Sequence, residues 1–204
     1  MPAQPHHPVP AGGPEDPRGP EGPRGPGGAE GLGAPPAVAP TVDHAAGLAH
    51  FNNLPFAAAE AAFLECCGSL RWAHRMAAHR PYPDLGALLA ASDEAGYDLP
   101  PRDIAEALAS EPAPCLHDDA PRAAHLALRA AHAAYESRFG HAFVICLDAH
   151  QPSQHVDQVL AGIRVRLAHD TDEERAVTAE ELRRLARSRI VELLAADPRR
   201  QGAL

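Results

Sequence analysis

The chain of 204 residues holds 13 histidines, 18 arginines, four cysteines and no lysine. Histidine-based metal chemistry is one reading of these numbers. His125 and His132 lie seven apart and share a helix face, and His117 could complete a three-ligand cluster. No HExxH and no zinc-ribbon spacing is present, so no metal site is expected. Anion chemistry is the second reading. Arg175, Arg183, Arg184, Arg187 and Arg189 crowd the C-terminal stretch. Arg183 and Arg187 share one face, and most of this group is expected to be solvated. Arg189 flanks Ile190 beside the apolar stripe, and an inward arginine needs a carboxylate or an anionic ligand. Thiol chemistry is the third. Cys66 and Cys67 are adjacent, a poor disulfide geometry, and Cys115 and Cys146 stand alone. Reduced, half-buried thiols in a cytoplasmic protein are expected. No phosphate loop, dinucleotide fingerprint or nucleophile elbow is present.

These side chains need a scaffold, and composition limits its kind. Hydrophobic residues make up 45% but aromatics only 4%, so the core must be built from Ala, Leu and Val. The formal charge of −9 argues against a general nucleic-acid binder. No stretch approaches about 18 apolar residues, and Met1–Pro10 lacks a basic and an apolar signal region, so no membrane association or secretion is expected. The first 40 residues hold 12 Pro and 9 Gly. Such a segment cannot bury enough apolar surface to offset its ordering entropy, which predicts a disordered tail over 1–45 and a folded domain over 46–198.

The domain reads as helical. Phe56, Ala59, Phe63 and Cys66 recur at helical spacing before Gly68. A short helix over 71–79 stops at Pro81. Asp84 caps the helix of Leu85, Leu88 and Leu89, and Pro101 opens the next, over 102–110. Residues 122–138 form a longer helix with Leu126, Ala130, Ala133, Ala134 and Ser137 along its inner side, ended by Gly140. Phe143–Leu147 has strand character but no partner strand, so a buried extended connector is expected. Ser153 caps a helix carrying Val156, Val159, Leu160, Ile163 and Leu167. Thr171 and Glu174 have capping-box spacing at the start of the last helix, whose stripe is Val177, Leu182, Leu185, Ile190 and Leu193. The expectation is an all-α bundle of about seven helices with one short extended segment.

Four stretches resemble the 2-oxo-4-hydroxy-4-carboxy-5-ureidoimidazoline (OHCU) decarboxylase family. They are Phe51–Pro55 with the Cys66-Cys67-Gly68-Ser69 turn and Arg71-Trp72; Arg80-Pro81-Tyr82 with the 85–91 helix; Ala134–Cys146; and Glu180–Ile190. The resemblance implies an all-α, cofactor-free carboxy-lyase of urate breakdown that makes (S)-allantoin. It implies a small anionic purine-derived substrate, no nucleic-acid or membrane partner, and pairing as a homodimer. Arg189 aligns with the arginine that holds the anionic substrate. Phe143, Val144 and Ile145 align with a segment whose backbone amides contact its ring.

The sequence also departs from the family pattern. The catalytic His-Pro pair reads Glu111-Pro112, and the Ser-x-x-Glu-Gln motif is absent from a shortened interval. Glu111 and His117 are the candidates to supply the missing acid. A contrasting expectation is a catalytically degenerate homologue that serves as a helical binding or regulatory protein.

Overall fold

A computed structural model describes residues 44–112 and 122–195. Among these residues the chain is all-α. The helices are α1 (His44–Asn52), α2 (Phe56–Cys66), α3 (Leu70–Ala78), α4 (Leu85–Tyr97), α5 (Pro101–Ser110), α6 (Arg122–Phe139), α7 (His155–Arg166) and α8 (Thr171–Ala195). One 3₁₀ turn, Pro152–Gln154, precedes α7. The expected tail over 1–45 falls almost wholly outside the described residues.

Helix ends follow local chemistry. Ser69 accepts a hydrogen bond from the Trp72 amide and opens α3. Asp84 accepts from the Ala87 amide at 2.7 Å and opens α4. Pro101 occupies the first turn of α5, where its missing N–H costs nothing. Two expected caps are corrected. Ser153 lies within the 3₁₀ turn, and Gln151 forms the capping box with Gln154 instead. Thr171 does not cap α8; the Asp170 carboxylate accepts from the amides of Asp172 at 3.0 Å and Glu173 at 2.8 Å. Glu174 is unavailable for a capping box because it is fully buried against Arg166.

Helix α8 is the spine of the larger core. Its buried positions are Glu174, Thr178, Leu182, Ala186, Ile190 and Leu194, every fourth residue. Leu48 and Phe51 of α1, Phe63 of α2, Trp72 and Met76 of α3 and Leu88 of α4 join the apolar end of this row. Phe63 meets Phe51 edge-on at 4.8 Å and Trp72 at 5.7 Å. Such pairs add about 0.5–1.5 kcal/mol beyond area burial. Gly47 is required where α1 crosses α8, because a Cβ there would overlap the Leu194 carbonyl.

A second cluster lies between α6 and α7 and holds Leu128, Tyr135, Phe143, Val159 and Ile163. This corrects the expected inner side of α6. Leu126 is 57% exposed, and Ala130, Ala133, Ala134 and Ser137 face solvent. The inner side is that of Leu128 and Tyr135. The 143–147 segment is extended and unpaired, with Phe143 and Val144 buried.

Candidate functional site

The turn between α2 and α3, the end of α5 and the C-terminal half of α8 meet around a cavity of about 560 Å³. Its lining includes Glu65, Gly68, Glu106, Ser110, Glu111, Pro112 and Arg189. Gly68 sets the closeness of this meeting. A Cβ on it would overlap the Ser110 side chain and crowd the Ala107 carbonyl at 3.3 Å. The Glu111 backbone turns extended as α5 ends, and Pro112 follows it.

Arg189 reaches into this cavity and is held on two sides. One nitrogen donates to the Cys66 carbonyl at 3.2 Å. The two terminal nitrogens donate to the Glu111 carboxylate at 2.8 and 2.7 Å. This is a bidentate, charge-assisted pair, the geometry that suits a guanidinium best. The Glu111 side chain is 7% exposed and that of Arg189 27%. Hydrogen bonding to the Glu111 carboxylate raises the Arg189 pKa above its ordinary value. Burial pushes the Cys66 thiol up to about 12 and the Cys67 thiol up to about 11, so both stay protonated and poorly nucleophilic. Arg189 is the only cation among the described lining residues, against the carboxylates of Glu65, Glu106 and Glu111.

The structure therefore brings Glu111 and Arg189 together. It does not place Phe143, Val144 or Ile145 in the lining of this cavity. That segment is anchored elsewhere. Arg166 donates to the Val144 carbonyl at 2.6 Å, and the Glu181 carboxylate accepts from the Cys146 amide at 2.7 Å. The amides of Phe143, Val144 and Ile145 have no hydrogen-bond partner among the described residues. His117 and Cys115 lie outside the described residues. Among the described residues no group of three or more His, Cys, Asp and Glu could hold a metal ion. His132 instead packs edge-on against Phe143 at 5.8 Å, and burial lowers its pKa.

Three further polar residues are buried where the sequence did not mark them so. Arg166, Glu174 and Thr178 are buried at 5%, 0% and 1% exposure. Arg166 donates to Glu174 at 2.6 Å and to Thr178 at 2.9 Å, and the Tyr135 hydroxyl donates to Glu174. His169 contacts the other Glu174 oxygen at 2.8 Å. Every oxygen of Glu174 thus has a partner, which is what burying a carboxylate demands. The network ties α6, the extended segment, α7 and α8 together. Arg183 and Arg187 also leave the solvated face expected of them. Arg187 pairs with Asp93 at 2.5 Å, and Arg183 stacks over Tyr97 at 3.9 Å, both across to α4.

Fold and site together define an all-helical protein with a cavity in which Arg189 is paired with Glu111. The OHCU decarboxylase family model matches the chain over residues 52–114 and 115–191, more than half its length. The chain belongs to the OHCU decarboxylase family. Solved structures agree in fold. One is an OHCU decarboxylase in the presence of (S)-allantoin, with a TM-score of 0.58 at 17% identity, covering 66% of this chain and 97% of that one. Another is an (S)-allantoin synthase, with a TM-score of 0.57 at 18% identity, covering 72% of this chain and 53% of that one. A search of curated protein sequences gives no match.

Proposed function

We propose that the chain decarboxylates OHCU to (S)-allantoin without a cofactor, as a step of urate breakdown, in the cavity of Arg189. The observation that carries this reading is the Arg189 fork engaged with a carboxylate inside a cavity of about 560 Å³. The substrate's name places a carboxyl and a hydroxyl on one ring carbon and the ureido group on the next. In the proposed reaction Arg189 holds the carboxylate. The bond to the carboxyl carbon breaks and CO₂ leaves. Its electron pair passes into the adjacent imine. The hydroxyl proton moves to the imine nitrogen as the ring carbonyl forms. The former imine carbon takes one proton from an acid on one face, and that face sets the product's handedness. We assign the acid to Glu111, which sits within reach of whatever Arg189 holds. Acid–base roles of this kind are typically worth about 10²–10⁴-fold in rate.

The reading gives the ring contacts to the amides of Phe143, Val144 and Ile145. This requires the segment and the cavity to meet in the complex. The alternative, a helical binding protein without catalysis, is favoured by the same salt bridge. Glu111 already fills the anion fork and would serve there as a structural lock. Arg189→Ala separates the two. Two charge-assisted bonds of roughly 1.5–3 kcal/mol each predict a loss of at least about 100-fold in kcat/KM. The assay generates the substrate in place from urate with urate oxidase and hydroxyisourate hydrolase. Turnover that survives Arg189→Ala, or wild-type turnover at the spontaneous rate, overturns the reading.

A further inference from the structure

Glu111 occupies the end-on fork of Arg189, the face on which both terminal nitrogens meet a carboxylate together. Each terminal nitrogen of Arg189 donates to Glu111, at 2.8 and 2.7 Å, and the Glu111 side chain is 7% exposed. No second cation lines the cavity among the described residues. A carboxylate that takes this end-on fork displaces Glu111, which lines the cavity beside the new anion. Two carboxylates cannot share one guanidinium fork at low solvation without a proton between them.

We infer that Glu111 is an internal counter-ion of the substrate site, exchanged for the substrate carboxylate with uptake of one proton. The inference rests on the reading of this cavity as an anion site. Its consequence for turnover is a matched proton count. Loss of CO₂ from a carboxylate consumes one proton at carbon, and Glu111 brings one in with each substrate bound. Departure of the neutral product frees Arg189 to take back the ionised Glu111. The acid is armed only when substrate is present.

The groups facing Glu111 leave it the natural acceptor of that proton. From the α2 side come Glu65, Cys66 and Cys67; from α5, Glu106; from α8, Arg189. Both thiols are already protonated, with pKa values of about 12 and 11. Glu65 and Glu106 are exposed to solvent. Among these carboxylates, Glu111 is the one bound to Arg189.

The test is isothermal titration of the full chain with hydantoin-5-acetate, a stable carboxylate, in buffers of different ionisation enthalpy. The wild type should take up about one proton per ligand, and its affinity should fall about tenfold per unit rise in pH between 6 and 8. Glu111→Gln should bind the probe more tightly, with no proton uptake and a flat pH profile. Binding by the variant alone supports the exchange as well. Wild-type binding without proton uptake overturns it, and so does failure of both proteins to bind. Turnover with no proton uptake on binding sinks the exchange but leaves the decarboxylase reading standing. Proton-coupled binding without turnover does the reverse.

Discussion

At the residue scale, the proposed reaction assigns binding to Arg189 and proton delivery to Glu111. An arginine at this position was legible from periodicity, since it flanks Ile190 on the buried side of α8. Glu111 was legible only through the family resemblance, and its pairing with Arg189 was not. Glu111 closes α5 as an unremarkable helix-end residue, and only the fold carries it across to α8. In turnover, Glu111→Gln should lower kcat by about 10²–10⁴-fold, because an amide cannot give up a proton. KM should fall in the same variant, because Arg189 loses its charged competitor. Steady-state kinetics on the coupled assay checks both signs, and a rise in KM would show that Glu111 helps to hold substrate.

Gly68 acts at the same scale through packing. Gly68→Ala should cost about 1–3 kcal/mol in urea unfolding, the usual range for forcing extra atoms into a filled site. It should also part the α2–α3 turn from Ser110. An unchanged midpoint would mean that the turn yields freely.

At the element scale, boundaries set by Pro, Gly and Asp were legible, because each acts through its own backbone chemistry. Pro101, Asp84 and Gly68 stand where the sequence puts them. The register of α6 was not legible. In an alanine-rich helix several faces carry similar apolarity, so Leu126 and Leu128 compete with little contrast. Tertiary packing settles it through Tyr135, which must reach Glu174. The start of α8 misled for a related reason. A Thr-x-x-Glu spacing signals a capping box, yet Glu174 is drawn inward by Arg166. Nothing local marks an arginine in α7 as buried.

That network predicts acid sensitivity. Burial pushes the Glu174 carboxyl up, but hydrogen bonds from Arg166 and Tyr135 outweigh this and hold its pKa below the ordinary 4.5. The folded pKa is depressed, so its stabilisation is present above the unfolded value and fades as pH falls through the folded one. Glu174→Gln should therefore be less stable at neutral pH and lose less stability between pH 5 and 2. Removing the carboxylate with Glu174→Ala strands Arg166 and should cost about 3–5 kcal/mol. Urea midpoints measured across that pH range decide both. An acid limb unchanged in Glu174→Gln would place the acid sensitivity elsewhere.

At the scale of the whole molecule, α1 and the residues before it make contrasting cases. Leu48 and Phe51 are buried against the core, each worth about 1.5–3 kcal/mol. Removing residues 1–52 should lower the melting temperature strongly. Removing residues 1–43 should leave it nearly unchanged, in keeping with the proposal that the Pro/Gly-rich segment lies outside the folding unit. A large drop from the shorter deletion would show that this segment docks on the domain.

The central claim is that this cavity protonates a decarboxylated intermediate on one face. Circular dichroism of allantoin formed from urate in the coupled system tests it directly. Rapid build-up of the (S) form above the spontaneous rate is the predicted result. Racemic allantoin at the spontaneous rate would contradict it.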